Sequence, residues 1–166
     1  MKNSLSEKEL RFISELELER KYFFTIDDII GFFKSREELR VYIHRLRKKG
    51  RIIKLNKKKF YLIPIRAVGN NWSEHAFIII DEMMNGRDYA VVGAAAANYW
   101  GLSEQMPFAY DVWNTKRHGQ ISIMGTEIRF RKHKKKELPK AVEQEISGHK
   151  FRIVAKEEAK KWIPNV

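Results

Sequence analysis

The 166-residue chain has no cysteine. That excludes a disulfide framework and any thiolate metal site. It fits a reducing compartment, and a cytoplasmic location is expected. Proline and glycine are few, at four and nine residues, and no internal repeat or low-complexity segment appears beyond short lysine runs. Long apolar runs are also missing. Phe77–Ile80 and Tyr89–Ala97 are too short or too alanine-rich to span a bilayer, so no membrane partner is expected. The first residues, MKNSLSEKEL, lack the apolar core of a signal peptide.

Catalytic signatures are equally sparse. The five histidines, His44, His75, His118, His133 and His149, are scattered and form no H-x-x-x-H pair, so no metal site is expected. There is no Gly-x-Gly-x-x-Gly, no P-loop and no serine in a nucleophile elbow. Gly93–Ala97 reads as a surface for close helix packing. No cofactor is expected, and the chain reads as a non-enzyme.

Acidic residues are the last shortage. Lys and Arg number 33 against 21 Asp and Glu, a net charge of +12 with a pI of about 9.9. That balance favours polyanions as partners. What is present is core material: 43% hydrophobic and 12% aromatic residues, enough for one large domain or two small ones.

The organising stretch is Ser35–Pro64. Ser35 and Glu38 have capping-box spacing, and Gly50 suits the left-handed position just past a helix. Between them Leu39, Tyr42, Ile43 and Leu46 recur at helical spacing and face a core. The opposite face carries Glu37, Arg40, Val41, His44, Arg45 and Lys48. After Gly50 the period turns extended, with strands at Arg51–Leu55 and Phe60–Ile63 around a turn at Asn56–Lys59. From Arg36 to Lys59 there are 11 Lys or Arg against two Glu.

Upstream, Ser6 with Glu9 and Thr25 with Asp28 mark two further helix starts. The first helix is expected over Glu7–Arg20, with Leu10, Ile13 and Leu16 on its apolar side. Three helices and a lysine-tipped hairpin, in that order, are what a winged helix-turn-helix requires. Its recognition helix would enter the major groove, where Arg40, Arg45 and His44 can meet base edges or phosphates and Val41 a thymine methyl. Arg36, Lys48, Lys57, Lys58 and Lys59 complete the expected DNA-binding set. The competing reading is a solvated basic face with a solubility-tuned turn.

Pro64–Asn71, with Pro, Gly and an Asn pair, is expected to be a domain junction, with Trp72 anchoring the next element. The expected fold class is therefore α+β, a winged helix over residues 1–64 and a mixed α/β domain over 65–166. In the second part helices are expected at Ser73–Asn85 and Gly93–Trp100, with Gly101 ending the latter. Tyr89–Val92 is expected to be a short apolar strand or the approach to a helix, and Ala109–Asn114 a strand. Two hairpins come next, Gln120–Lys132 around Gly125-Thr126 and Ala141–Val154 around Gly148-His149. Lys156–Trp162 begins a last helix. The basic tract Arg129–Lys136 is either a second polyanion contact or a solvated edge strand.

Asn98–Pro107, NYWGLSEQMP, resembles the aromatic–Gly-Leu-Ser/Thr-Glu-Gln-x-Pro signature of AbiEi-type antitoxin regulators. The signature residues are Gly101, Leu102, Ser103, Glu104, Gln105 and Pro107. KFYLIP, GQISIMGTEIRFRK and FRIVAKEEA agree with it, and the similarity covers about Lys21 to Ala159. The resemblance implies a winged-helix autorepressor of a type IV toxin–antitoxin or phage-defence operon. It also implies double-stranded DNA and a nucleotidyltransferase-like toxin as partners. The local physical alternative makes Gly101 a helix cap, Leu102 core and Glu104-Gln105 a polar turn.

Two other functions compete. Asp111 with Glu127-Ile128-Arg129 loosely matches the Asp…Glu-x-Lys metal site of restriction-like nucleases, but arginine replaces the lysine and cannot act as a base. A scaffold binding an acidic protein partner would use the same basic face.

Overall fold

A computed structural model describes residues 4–67 and 74–163. The chain divides into two compact units, Met1–Ser73 and Glu74–Val166. Half of the expected junction, residues 68–71, lies outside the described residues, as do Trp72 and Ser73. The first unit extends past the expected boundary at Pro64. Ile65 packs on its core and donates its N–H to Glu17 Oε1 at 2.6 Å.

The first unit opens with α1, Glu7–Leu18. Its capping box is complete: Glu9 N donates to Ser6 Oγ, and Ser6 N donates to Glu9 Oε2 at 2.7 Å. Phe12, Ile13 and Leu16 are buried. Leu10, expected beside them, is 45% exposed. It sits about 100° round the helix from Glu9, and Glu9 is on the buried side. Phe12 takes the place assigned to Leu10.

Next come β1 (Phe23–Thr25), α2 (Ile26–Ile29) and a 3₁₀ turn over Ile30–Phe32. Then come α3 (Arg36–Lys48), β2 (Ile52–Lys54) and β3 (Lys59–Leu62). The strands form an antiparallel sheet in the order β1-β3-β2. The expected two-stranded ribbon thus gains a third member, β1, whose three residues are too few to show alternation. Leu39, Leu46, Phe24 and Leu62 share the core with α1. Each such side chain contributes about 1.5–3 kcal/mol on burial.

The second unit carries a six-stranded mixed sheet, β6-β7-β5-β4-β9-β8. Its strands are β4 (Tyr89–Val92), β5 (Ala109–Asn114), β6 (Gly119–Ile123), β7 (Thr126–Lys132), β8 (Ala141–Ile146) and β9 (His149–Val154). The β5–β7 and β4–β9 pairs are parallel and the others antiparallel. Helices α4 (Ala76–Met84), α5 (Gly93–Tyr99) and α6 (Lys156–Ala159) belong to it, with 3₁₀ turns over Lys135–Glu137 and Lys160–Trp162. All four residues of β4 are buried, which is why it reads as an unbroken apolar run. Phe77 of α4 stacks on Phe151 of β9 with ring centroids 4.7 Å apart. The Tyr89 hydroxyl donates to Asp81 Oδ1 at 2.7 Å and accepts from Arg152 N at 2.8 Å. Burial and the Asp81 carboxylate push that phenol far above its ordinary pKa.

Both hairpin turns fall one residue earlier than the sequence pattern suggests. Met124–Gly125 and Ser147–Gly148 are the turn residues, all with positive φ. Tight two-residue turns of this kind match the twist of the flanking strands. The molecule is a mixed α+β protein, with two sheets among the described residues. No helix among the described residues is long and apolar enough to cross a membrane.

Candidate nucleic-acid interface

Helix α3 owes its position to both of its ends. Ser35 Oγ accepts from Glu38 N at 3.1 Å, the first half of a capping box. The reciprocal half is displaced by one residue: Glu38 Oε2 accepts from Lys34 N at 2.8 Å, and its other oxygen takes the Lys8 ammonium. The hydrogen bonds from Lys8 and Lys34 hold the Glu38 carboxyl below its usual range. At the other end Gly50 adopts φ +68°. Gly50 N donates to Arg47 O at 3.0 Å and Arg51 N to Leu46 O at 2.8 Å, which closes a Schellman turn.

A buried ion pair locks the helix to α1. Lys49 Nζ lies 2.6 Å from Glu9 Oε2, and the Glu9 residue is 1% exposed. Burial works to raise the Glu9 pKa, but Lys49 and Ser6 outweigh it and the net shift is downward. Inward, Leu39, Ile43 and Leu46 are buried, and Tyr42 packs against the core.

The outward face is set by the helical period. At about 100° per residue, Glu37, Val41, His44 and Lys48 fall at its centre. Arg36, Arg40 and Arg47 share one flank, and Arg45 lies on the other. All eight are exposed, Val41 at 47%. Arg36 spends part of its charge on Asp27, at 3.0 Å. The Arg45 guanidinium lies 5.7 Å from the centre of the Tyr42 ring, within cation–π range.

The hairpin adds a second cationic element. Asn56 Oδ1 accepts from Lys58 N at 3.0 Å and Lys59 N at 2.9 Å, so the asparagine side chain shapes the tip. Lys57 and Lys58 are exposed there. Lys59 departs from expectation. It belongs to β3, is half-buried, and is registered opposite Thr25 rather than at the tip. Between α3 and β2 runs an open cleft of about 450 Å³, lined by His44, Arg47, Lys48, Ile52, Ile53 and Lys54.

Arg47 and Lys54 join this surface although sequence reasoning does not single them out. Arg47 has a signal that could have found it, because it sits two turns after Arg40 on the same flank. Lys54 depends on how β2 lies against the helix. A second hollow of about 520 Å³, between α1 and the 3₁₀ turn, is lined by Lys8, Arg11, Phe12, Phe33 and Tyr42 among others.

The signature loop in the second unit lies apart from these elements in sequence. Gly101 has φ +66°, and Leu102 N donates to Ala97 O at 2.8 Å, ending α5 in another Schellman turn. Leu102 is half-buried. Asn98 Nδ2 donates to Ser103 O and Gln105 O, both at 3.2 Å, and Ser103 Oγ accepts from Gln105 N. Glu104 is exposed and Pro107 half-buried, and on either side of that proline Met106 is 75% and Phe108 84% exposed.

Asp111 and Glu127 lie on adjacent parallel strands, and the register brings Asp111 opposite Arg129. Glu127 is half-buried, and its Oε1 accepts from the Arg129 guanidinium at 3.3 Å. Among the described residues no group of three or more His, Asp or Glu is arranged to hold a metal ion. Arg129–Lys132 is no edge strand, because β7 lies between β6 and β5. No protein-family model and no curated protein matches this chain.

Proposed function

We propose that the protein is a sequence-specific DNA-binding regulator whose first unit is a winged helix-turn-helix. The observation that carries this reading is the outward face of α3. It sets exposed arginines, a histidine and a lysine on a rod held rigidly at both ends, next to a lysine-tipped hairpin. An α-helix fits the major groove, where base edges present distinguishable donor and acceptor patterns. In this reading Arg40, His44 and Val41 read bases, and Glu37 accepts from cytosine N4 or stays in solvent. Arg36, Arg45, Arg47, Lys48 and Lys54 bind phosphates, which fix register without reading sequence. Lys57 and Lys58 follow the backbone beside the groove. The β1 strand supports the reading, because a third strand ties the hairpin to the helices and stiffens it.

The resemblance of Gly101–Pro107 extends the proposal. The protein would act as autorepressor of a toxin–antitoxin or phage-defence operon in the cytoplasm. Its second unit would antagonise a nucleotidyltransferase-like toxin. The test is selection from a pool of randomised duplexes. A single enriched site is expected, with the Lys57→Ala/Lys58→Ala chain binding every duplex more weakly and selecting the same site. Recovery of an unenriched pool would refute the proposal.

A further inference from the structure

One end of the six-stranded sheet gathers loops that are far apart in sequence. Tyr89 of β4 is registered against Asn114 of β5, and Asn114 against Lys132 of β7. Gly119 of β6 is registered against Phe130 of β7. The start of β4, the end of β5, the start of β6 and the end of β7 therefore lie side by side. The last residues of β7, Arg131 and Lys132, and the adjoining loops, with Arg87, Lys116, Lys134 and Lys136, bring six cations to that end, all exposed.

The arrangement is built, not incidental. Asn114 is fully buried and uses its whole hydrogen-bonding capacity on these loops. Its Oδ1 accepts from Lys116 N at 2.9 Å and Arg117 N at 2.7 Å. Its Nδ2 donates to Arg117 O at 3.0 Å and Arg131 O at 3.3 Å. Thr115 N donates to Asp88 O, and His133 N to Asn114 O at 2.8 Å. Lys135 pairs with Asp88 at 3.3 Å, and the Arg117 guanidinium folds inward over the Phe130 ring at 4.4 Å.

We infer that this end of the sheet is a second docking surface for the phosphate backbone of duplex DNA, with Asn114 as its positioning residue. The inference rests on the reading of the protein as a duplex binder and deepens it. Four strand ends about 4.8 Å apart give a basic row roughly 14 Å long, the axial length of about four base pairs. None of the exposed large hydrophobic residues falls in these loops, whereas the centre of a protein interface calls for aromatic or aliphatic anchors. A single strand would call for an open stacking platform. The half-buried Trp113 is already stacked on His133 at 4.0 Å and edged by Trp162 at 5.3 Å. Duplex phosphate matches what remains, a row of flexible cations on a rigid base.

The experiment measures the slope of log affinity against log salt on one DNA duplex and one RNA duplex of equal length, using the full chain and three variants. The Lys116→Gln/Lys132→Gln/Lys134→Gln/Lys136→Gln chain should lose about 3 to 4 units of slope, since each phosphate contact contributes about 0.9. Its site preference should not change, and the corresponding four-arginine chain should keep the slope. The Arg40→Ala/Arg45→Ala/Lys48→Ala chain tests the first unit separately. An unchanged slope in the glutamine chain, with a fall in the alanine chain, overturns this inference and leaves the proposed function standing. A fall only in the glutamine chain supports the second surface and removes the role given to α3. No change in either overturns both, and a glutamine-chain loss seen on duplex RNA but not on DNA overturns the choice of partner.

Discussion

The Glu9–Lys49 pair decides how firmly α3 is held, and its removal should be measurable. In Lys49→Met, the Glu9 carboxylate keeps the Ser6 N–H at 2.7 Å but loses the ammonium paired with it. Its Oε1 is already buried without a partner among the described residues. Removing one member of a buried pair costs about 3–5 kcal/mol. The Lys49 side chain is 20% exposed, so water partly offsets the loss and about 2–3 kcal/mol is expected. In a Glu9→Gln background there is no charge to strand, and the same lysine change should cost less than about 1 kcal/mol. Three of the four tryptophans, Trp100, Trp113 and Trp162, lie in the second unit, so fluorescence reports mainly on that unit. Amide hydrogen exchange in α1 and α3 isolates the first. There Lys49→Met should speed exchange by about 30- to 150-fold, and by far less in the glutamine background. Equal costs in the two backgrounds, within about 0.5 kcal/mol, would refute the pairing argument. The sign with pH is set by the lowered pKa of folded Glu9. Its stabilisation is present above the unfolded value near 4.3 and is lost as pH falls through the lower folded value.

Three further outcomes are expected. Gly101→Ala should destabilise the second unit by about 1 kcal/mol, read by thermal unfolding. Open space surrounds that position, so the strain comes from the positive φ alone. The purified protein should not cut DNA with Mg²⁺ or Mn²⁺. Cleavage abolished by Asp111→Ala or Glu127→Ala would replace the regulator reading with a nuclease. Asn114→Leu should destabilise the second unit by about 1–3 kcal/mol, because it removes the hydrogen-bond partner of part-buried backbone groups of Lys116, Arg117 and Arg131. A hydrogen-exchange pattern like that of the native chain in residues 115–118 would contradict that role.

Much of the fold was legible because local signals were strong. Ser6, Ser35 and Gly50 mark helix ends through backbone hydrogen bonding, which does not depend on the rest of the chain. The apolar run of β4 has no period and left strand and helix approach open, whereas the hydrophobic face of α3 read correctly because its apolar residues recur at helical spacing. Leu10 did not, because periodicity cannot show that the buried side also holds Glu9. That requires Lys49, 40 residues away. Strand β1 exists only through its pairing with β3, and three residues carry no period of their own. Lys59 reads as a turn residue until β1 extends the ladder to it. The exposed cations of α3 were legible individually, whereas the cleft with Lys54 depends on tertiary placement. The hub at Asn114 was illegible for a similar reason: an asparagine at a strand end ordinarily signals a turn.

The claim that α3 reads sequence is tested most directly by a ratio of affinities. The intact chain and its Arg40→Ala/His44→Ala variant are titrated, at one fixed salt concentration, against the selected duplex and a scrambled one of equal length. Losing a base contact should lower the specific affinity by about 1–3 kcal/mol and leave non-specific affinity nearly intact. The ratio should therefore fall by about 5- to 150-fold. A variant that keeps the full ratio would contradict the assignment of α3 as the reading element.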